Sequence, residues 1–144
     1  MKKIITLFFA VIFLTACSET NNNDYVFIGE SEHWEAEYTY NGTEKWEEKD
    51  GQKAISNEDH FRFVLTYKGP LKELSSLQKI EYSYETNSGQ GSGTEEFTAP
   101  PSSRTFSSSG GSKGGAKVEQ DEVIKVHVKW DDLEESFELH NINQ

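Results

Sequence analysis

A chain of 144 residues with 25 acidic and 14 basic side chains, and a formal net charge of −11, is poorly suited to bind the phosphates of nucleic acid. Aromatic residues make up 12% of the chain, a share that excludes a disordered acidic polymer and favours a packed core. The length suits one domain around one core.

The first sixteen residues have the layout of a secretory signal peptide. Lys2 and Lys3 give a positive start, and residues 4–14 are apolar except for Thr6. This apolar run is shorter than the ~20 residues that a membrane-spanning helix requires. Residues 1–16 are therefore predicted to be a signal peptide that is removed from the mature chain.

The segment Leu14-Thr15-Ala16-Cys17 follows the apolar run and resembles the bacterial lipobox. The resemblance implies that the Cys17 thiol receives a diacylglyceryl group and that cleavage before Cys17 makes it the new N-terminus. Cys17 is the only cysteine, and lipidation accounts for a thiol that has no disulfide partner. Two acyl chains are enough for stable anchoring. We expect a lipoprotein anchored in the cell membrane on its extracytoplasmic face.

Removal of Lys2 and Lys3 with the signal peptide changes the net charge from −11 to −13. Residues 17–31 are predicted to be a lipidated tether, because residues 18–24 are polar and lack periodicity. The apolar residues 25–28 could form a first short strand or a clamp onto the domain. The folded domain is predicted to span residues 32–144.

The first half of this domain shows the period of two that is typical of half-buried strands. Apolar residues alternate with polar ones over residues 34–40 and again over residues 60–68. Asn41-Gly42 and Asp50-Gly51 both predict hairpin turns, since these residue types tolerate positive φ.

The second half contains the clearest strands and the least regular segment. Residues 79–86, 124–130 and 136–140 alternate between apolar and polar. The leucines of residues 71–77 have the spacing of a helical turn or of a crossing loop. Residues 87–115 are rich in glycine and serine, with short strands expected around Phe97 and Phe106 and a flexible loop over residues 107–115.

About six to eight short strands without a helical stripe predict an all-β fold. We expect a two-sheet antiparallel β-sandwich with an immunoglobulin-like topology, and a small β-barrel is the alternative. Residues 79–86, the Gly/Ser run and residues 124–130 are similar to uncharacterised small lipoproteins of Gram-positive bacilli. That resemblance implies a location and a fold, and it implies no activity.

No catalytic residue, metal site or cofactor is predicted. The four histidines fall opposite the apolar faces, and none is paired at the short spacing typical of zinc ligands; they are His33, His60, His127 and His140. The acidic clusters lack the spacing of a calcium-binding EF-hand loop, so weak calcium binding is only an alternative. The glycines and serine of residues 89–93 lack the spacing and the helix of a hydrolase nucleophile elbow.

Aromatic residues are the remaining candidates for a functional surface. Trp46 lies between charged residues and is predicted to be exposed, whereas Tyr82 and Tyr84 could line a sheet face or fill the core. We predict a non-enzymatic binding or interaction module whose partner is a cell-wall polymer, a peptide or a protein. The alternatives are a passive structural or immunity-type surface protein and a calcium-dependent domain.

Overall fold

The computed structural model describes residues 19–115 and 117–143, which form antiparallel strands and one short 3-10 helix, Leu71–Leu74. Of the two alternatives that the leucine spacing leaves open, a helical turn or a crossing loop, the structure has the helical turn. The predicted signal peptide and Cys17 lie outside the described residues. The strands are β1 (Glu19–Glu30), β2 (Trp34–Lys49), β3 (Gln52–Tyr67), β4 (Lys79–Thr86), β5 (Gly89–Glu96), β6 (Thr105–Lys113), β7 (Ile124–Trp130) and β8 (Leu133–Asn141).

These strands form one continuous sheet in the order β5-β4-β7-β8-β1-β2-β3-β6. Strand β8 forms the corner, because residues 133–139 pair with β7 whereas His140 and Asn141 pair with β1. The sheet wraps round until its end strands, β5 and β6, lie side by side, which leaves a nearly closed barrel. The predicted all-β antiparallel fold is confirmed, and the wrapped sheet fits both a sandwich and the alternative small barrel.

Alternate positions of the strands fill the interior with aromatic and branched side chains. Strand β7 alternates buried and exposed positions along its whole length, as its sequence predicts. Trp34 is fully buried and meets Tyr67 and Trp130 edge to face, with ring centroids 5.1 and 5.5 Å apart. Each large apolar side chain buried in this way stabilises the fold by about 1.5–3 kcal/mol.

Side chains from β4, rather than backbone pairing, close the gap between β5 and β6. The strand order contains no β5–β6 pairing among the described residues. The Tyr84 ring lies over Gly91 of β5, and its hydroxyl is hydrogen-bonded to Ser108 of β6 at 2.9 Å. The Tyr82 ring lies over Gly93 in the same way. We name these five residues the tyrosine seam.

Phe63 of β3 supports the tyrosine seam from inside the barrel. Its fully buried ring stacks on Tyr84 and Tyr82, with centroids 4.5 and 5.6 Å apart. Burial raises the pKa of the Tyr82 hydroxyl, and a hydrogen bond to Ser108 opposes this rise. The phenol is uncharged near pH 7, as its ordinary pKa of 10 already requires, so no charge is buried in the seam.

The two predicted hairpin turns have different outcomes. Asp50 and Gly51 form the turn between β2 and β3, with positive φ angles of 54° and 76°. The prediction of a turn at Asn41-Gly42 is wrong, because β2 runs through these residues and pairs with β1 and β3 on either side. The Tyr40 ring lies where a Cβ of Gly42 would be, so this glycine permits close packing rather than a turn.

Two segments that lack apolar alternation are strands in the structure. Residues 19–30 of the predicted tether form β1 and pair with β2 along their whole length, and Phe27 is buried in the core. Residues 107–113 of the predicted flexible loop belong to β6, which pairs with β3. The sheet therefore includes residues 19–30, which the sequence assigns to the tether, because pairing with a neighbouring strand organises these polar segments.

Strands β1, β2 and β3 extend beyond the rest of the sheet as a three-stranded arm, made of residues 19–24, 41–49 and 52–57. Strand β6 pairs with β3 only from Glu58 onwards, and β8 pairs with β1 only at Phe27 and Ile28. The arm ends in the turn at Asp50 and Gly51. Within the described residues, the ladder partners of its strands are one another, and Asn57 at its base accepts a backbone hydrogen bond from Gly114.

The tyrosine seam predicts that glycine substitutions in β5 differ sharply by position. A Cβ at Gly91 would overlap the Tyr84 ring, so Gly91→Ala should lower the free energy of unfolding by about 1–3 kcal/mol. At Gly89 a Cβ meets nothing within 4 Å, so Gly89→Ala is the matched control and should cost less than about 0.5 kcal/mol. Urea denaturation of the full-length protein in detergent micelles measures both changes. Equal losses at the two positions would contradict the packing described for the seam.

Candidate functional site

A cavity of about 180 Å³ opens at the end of the barrel from which the arm leaves. Aromatic side chains from three strands form its wall, and we name them the aromatic mouth: Tyr38 and Tyr40 of β2, Phe61 of β3 and Tyr84 of β4. The remaining polar lining comes from Asp59, Thr86, Ser88, Gln90 and Ser112.

Three rings of the aromatic mouth touch one another. Tyr38 and Phe61 stack with centroids 5.5 Å apart and an interplanar angle of 10°. Tyr84 lies 5.8 Å from each of them, at angles of 56° to Tyr38 and 66° to Phe61. Burial raises the pKa of the Tyr38 hydroxyl, with further contributions from Tyr84 and Asp59. The mouth therefore presents uncharged phenols and ring faces to anything that enters it.

Asp59 places a carboxylate beside these rings. Its Oδ1 accepts hydrogen bonds from the backbone N–H and the hydroxyl of Ser112, at 2.9 and 2.7 Å. Its Oδ2 accepts a hydrogen bond from the Tyr40 hydroxyl at 3.3 Å. Burial and the nearby Asp59 charge raise the pKa of Tyr40. A fixed carboxylate next to aromatic faces is an arrangement suited to a cationic group.

A buried carboxylate fixes the loops around the cavity. Glu122 is 3% exposed, and it accepts hydrogen bonds from the backbone N–H groups of Asn87 and Glu119. These bonds tie the β4–β5 turn to the loop that carries Val118, which also lines the cavity. Because a buried carboxylate without donors is strongly unfavourable, Glu122 holds both loops in place.

Two larger depressions lie on the outside of the sheet. One of about 410 Å³ lies beside Glu35 and Glu37, and one of about 340 Å³ lies beside Lys125 and His127. Each lies against the solvent-facing side of neighbouring strands, where charged side chains point outward. The aromatic mouth differs because rings from three strands enclose it, so we take it as the candidate site.

At the opposite end of the barrel, a hydrogen-bonded cluster joins the β1–β2 connection to β8. Glu135 Oε1 accepts hydrogen bonds from the Ser31 hydroxyl at 2.5 Å and from the His33 backbone N–H at 2.9 Å. Glu135 Oε2 lies 2.5 Å from His33 Nδ1. The hydrogen bond to Glu135 raises the pKa of His33, and this effect outweighs desolvation by burial, which lowers it. Burial raises the pKa of Glu135, but the bonds from Ser31 and His33 outweigh it and leave that pKa below its usual value.

In the part of the chain that the structure describes, one group of side chains offers three potential metal-ligand atoms within 4.8 Å of one another. It consists of Glu32, His33 and Glu135. Both Glu135 oxygens already accept hydrogen bonds, so the cluster has an evident structural role. His33 is half-buried although the sequence places it opposite the apolar face, because its hydrogen bond to Glu135 holds it against β8. The other histidines are exposed and lie 3.4–3.6 Å from glutamates: His60, His127 and His140.

The three aromatic residues predicted as a binding surface do not lie together on the outside. Trp46 is 41% exposed on the arm, whereas Tyr82 and Tyr84 are buried at 6% and 5%. Of the two alternatives that the sequence leaves open for Tyr82 and Tyr84, a sheet face or the core, the structure has the core, because β4 lies between β5 and β7 and turns both rings into the barrel. Tyr84 reaches the aromatic mouth from inside.

Sequence reasoning did not identify Tyr38, Phe61 and Asp59 as members of one site. A signal was present, because Tyr40 and Phe61 are direct partners on two consecutive strands, and Tyr38 and Asp59 lie two positions from them on the same face. The turn predicted at Asn41-Gly42 hid this signal, since it placed the second strand in another hairpin.

The family model of the prokaryotic membrane lipoprotein lipid attachment site matches residues 1–18. This match contains the lipobox and supports a bacterial lipoprotein held in the membrane by a lipid anchor. No curated protein and no solved structure matches the chain. Across the described residues, none of the helices has the length and apolar character needed to cross a membrane.

The His33–Glu135 bond predicts a pH-dependent contribution to stability. The raised pKa of His33 stabilises the fold below the ordinary value of 6.5, and this contribution is lost as pH rises through the folded pKa. The lowered pKa of Glu135 stabilises the fold above 4.5, and this contribution is lost as pH falls through the folded pKa. We expect His33→Gln to lower the free energy of unfolding more at about pH 5.5 than at about pH 8.5. Because His33 is partly exposed, the difference between the two pH values should be only roughly 0.5–1 kcal/mol.

Urea denaturation of the full-length protein at both pH values measures this difference. His140→Gln, on the exposed side of β8, is the matched control and should show a smaller difference between the two pH values. A loss for His33→Gln that is independent of pH would show that His33 contributes by packing alone.

Proposed function

We propose that this protein is a lipoprotein anchored by a diacylglyceryl group on Cys17 at the extracytoplasmic face of the membrane, where its β-domain is a non-enzymatic binding module. The match to the lipid attachment site over residues 1–18 supports the anchor. The positive start, the short apolar run and the single cysteine support the same proposal.

The aromatic mouth beside Asp59 is the observation on which the binding proposal rests. Its cavity of about 180 Å³ is smaller than the ~300 Å³ at which typical small-molecule sites begin, so it suits one side chain of a larger partner. The ring faces and the carboxylate favour a cationic group, and the negative net charge attracts a cationic partner. We propose a lysine or arginine side chain of a peptide or protein; a cell-wall polymer with free amino groups offers the same chemistry.

Binding without covalent chemistry agrees with the state of the polar groups at this site. Asp59 is the carboxylate nearest the rings, and it already accepts three hydrogen bonds from Ser112 and Tyr40. None of the described histidines lines the cavity. These features support recognition by shape and charge rather than proton transfer.

Peptide titration tests the proposed site. Isothermal titration of the full-length protein in nonionic micelles should show binding of tetralysine and no binding of tetraglutamate. Asp59→Asn keeps the shape of the side chain and removes its charge, so we expect tetralysine affinity to fall by roughly tenfold, or about 1.4 kcal/mol.

Glu138→Gln is the matched control, because it removes one negative charge from the exposed side of β8. Its tetralysine affinity should stay within about threefold of the wild type, as expected for a screened surface charge. Equal weakening by Asp59→Asn and Glu138→Gln would mean that tetralysine binds the acidic surface at large, and it would contradict a site at the aromatic mouth.

A further inference from the structure

In the part of the chain that the structure describes, the arm continues beyond its contact with the loop that follows β6. At that contact, Asn57 Nδ2 donates to the Gly115 carbonyl at 2.7 Å and Lys117 forms an ion pair with Glu44. Residues 19–21 and 45–56 lie farther out, and we name them the tip. At about 3.3 Å per residue, the six residues from Asn57 to Gly51 place the turn about 20 Å beyond this contact.

The tip exposes an apolar pair. Trp46 and Ile55 are direct partners in the β2–β3 register, so their side chains lie on the same face of the arm. They are 41% and 50% exposed, whereas Trp34 and Trp130 are buried. The arm has no core that could cover this pair, and its burial against an apolar phase would be favourable.

The chain brings the lipid attachment segment to the same place. Glu19 pairs with Trp46 in the β1–β2 register, and the matched segment ends at residue 18. Cys17 precedes Glu19 by two residues, so an extended backbone allows at most about 7 Å between their Cα atoms. Acyl chains on Cys17 would therefore enter the bilayer beside the tip.

We propose that the tip is a second membrane contact, in which Trp46 and Ile55 lie in the headgroup region of the anchoring bilayer. The inference rests on the anchor at Cys17 in the proposed function. Tryptophan favours this region because its ring is apolar and its N–H is polar. Charge opposes the contact little, since residues 45–56 hold three lysines and three acidic residues and Glu19 leaves the tip with a net charge of −1, whereas the whole chain carries −11.

This contact sets where the candidate site faces. Tyr40 of the aromatic mouth precedes Trp46 by six residues along β2, which corresponds to about 20 Å. The mouth lies at the end of the barrel from which the arm leaves. It therefore opens on the membrane side of the domain, and its partner reaches it close to the bilayer surface.

Quenching by brominated phospholipid tests the contact. Full-length wild type and Trp46→Phe, each with acylation of Cys17 checked by mass spectrometry, are reconstituted in phosphatidylcholine vesicles brominated near the top of the acyl chains. Trp46 is one of three tryptophans, so brominated lipid should lower the tryptophan fluorescence of the wild type by up to roughly one third. It should leave Trp46→Phe unchanged, because Trp34 and Trp130 are buried. Equal quenching of the two proteins would overturn the proposal.

The matched control moves the exposed tryptophan away from the tip. Ile28→Trp in the Trp46→Phe background places the exposed tryptophan at a position that is 50% exposed. This position pairs with Glu37 of β2, and Glu37 precedes Trp46 by nine residues. Aqueous iodide should quench this tryptophan and brominated lipid should not. Quenching of the control as strong as that of the wild type would also overturn the proposal.

A wild type that iodide quenches and brominated lipid does not, or a Cys17 without acyl chains, would likewise overturn the membrane contact. Peptide binding that depends on Asp59 is measured in micelles and does not require the tip to touch a bilayer. Failure of the membrane contact and failure of the binding site therefore give different results.

Discussion

The fold depends on how the tyrosine seam joins two strands that have few large side chains. Strands β5 and β6 are rich in glycine and serine, and without a partner each would be a free sheet edge. Tyr82 and Tyr84 fill the gap because Gly93 and Gly91 leave the surface of β5 open to their rings. Tyr84 is also a wall of the aromatic mouth, so closure of the barrel and the shape of the candidate site share one side chain.

The parts of the fold that follow from local sequence are those in which burial alternates along a strand. Strands β4 and β7 are predicted because one face of each packs into the core. The sequence does not predict the first half of β1. Asn22 and Asp24 pair with β2 through backbone and side-chain hydrogen bonds, and such bonds leave no apolar pattern in the sequence. Gly110 of β6 lies under the Phe61 ring, and only the partner strand shows why a glycine is there.

The candidate site could be predicted only in part for the same reason. The exposure of Trp46 followed from its charged neighbours and is confirmed. Tyr84 meets Phe61 and Asp59 of β3 because the sheet wraps round, and no local pattern describes that closure. The long tether was expected because residues 18–24 are polar. Their pairing in β1 begins at Glu19, two residues after Cys17, so the sheet starts close in sequence to the predicted lipid attachment residue.

Rings from β4, and not a backbone ladder, join β5 to β6. Nuclear Overhauser contacts of the Tyr84 ring protons in the full-length protein in micelles test it most directly. The structure predicts contacts from this ring to both Gly91 and Ser108, without the cross-strand Hα–Hα contacts of a β5–β6 ladder. A Tyr84 ring that contacts neither residue, or a continuous ladder between β5 and β6, would contradict this account.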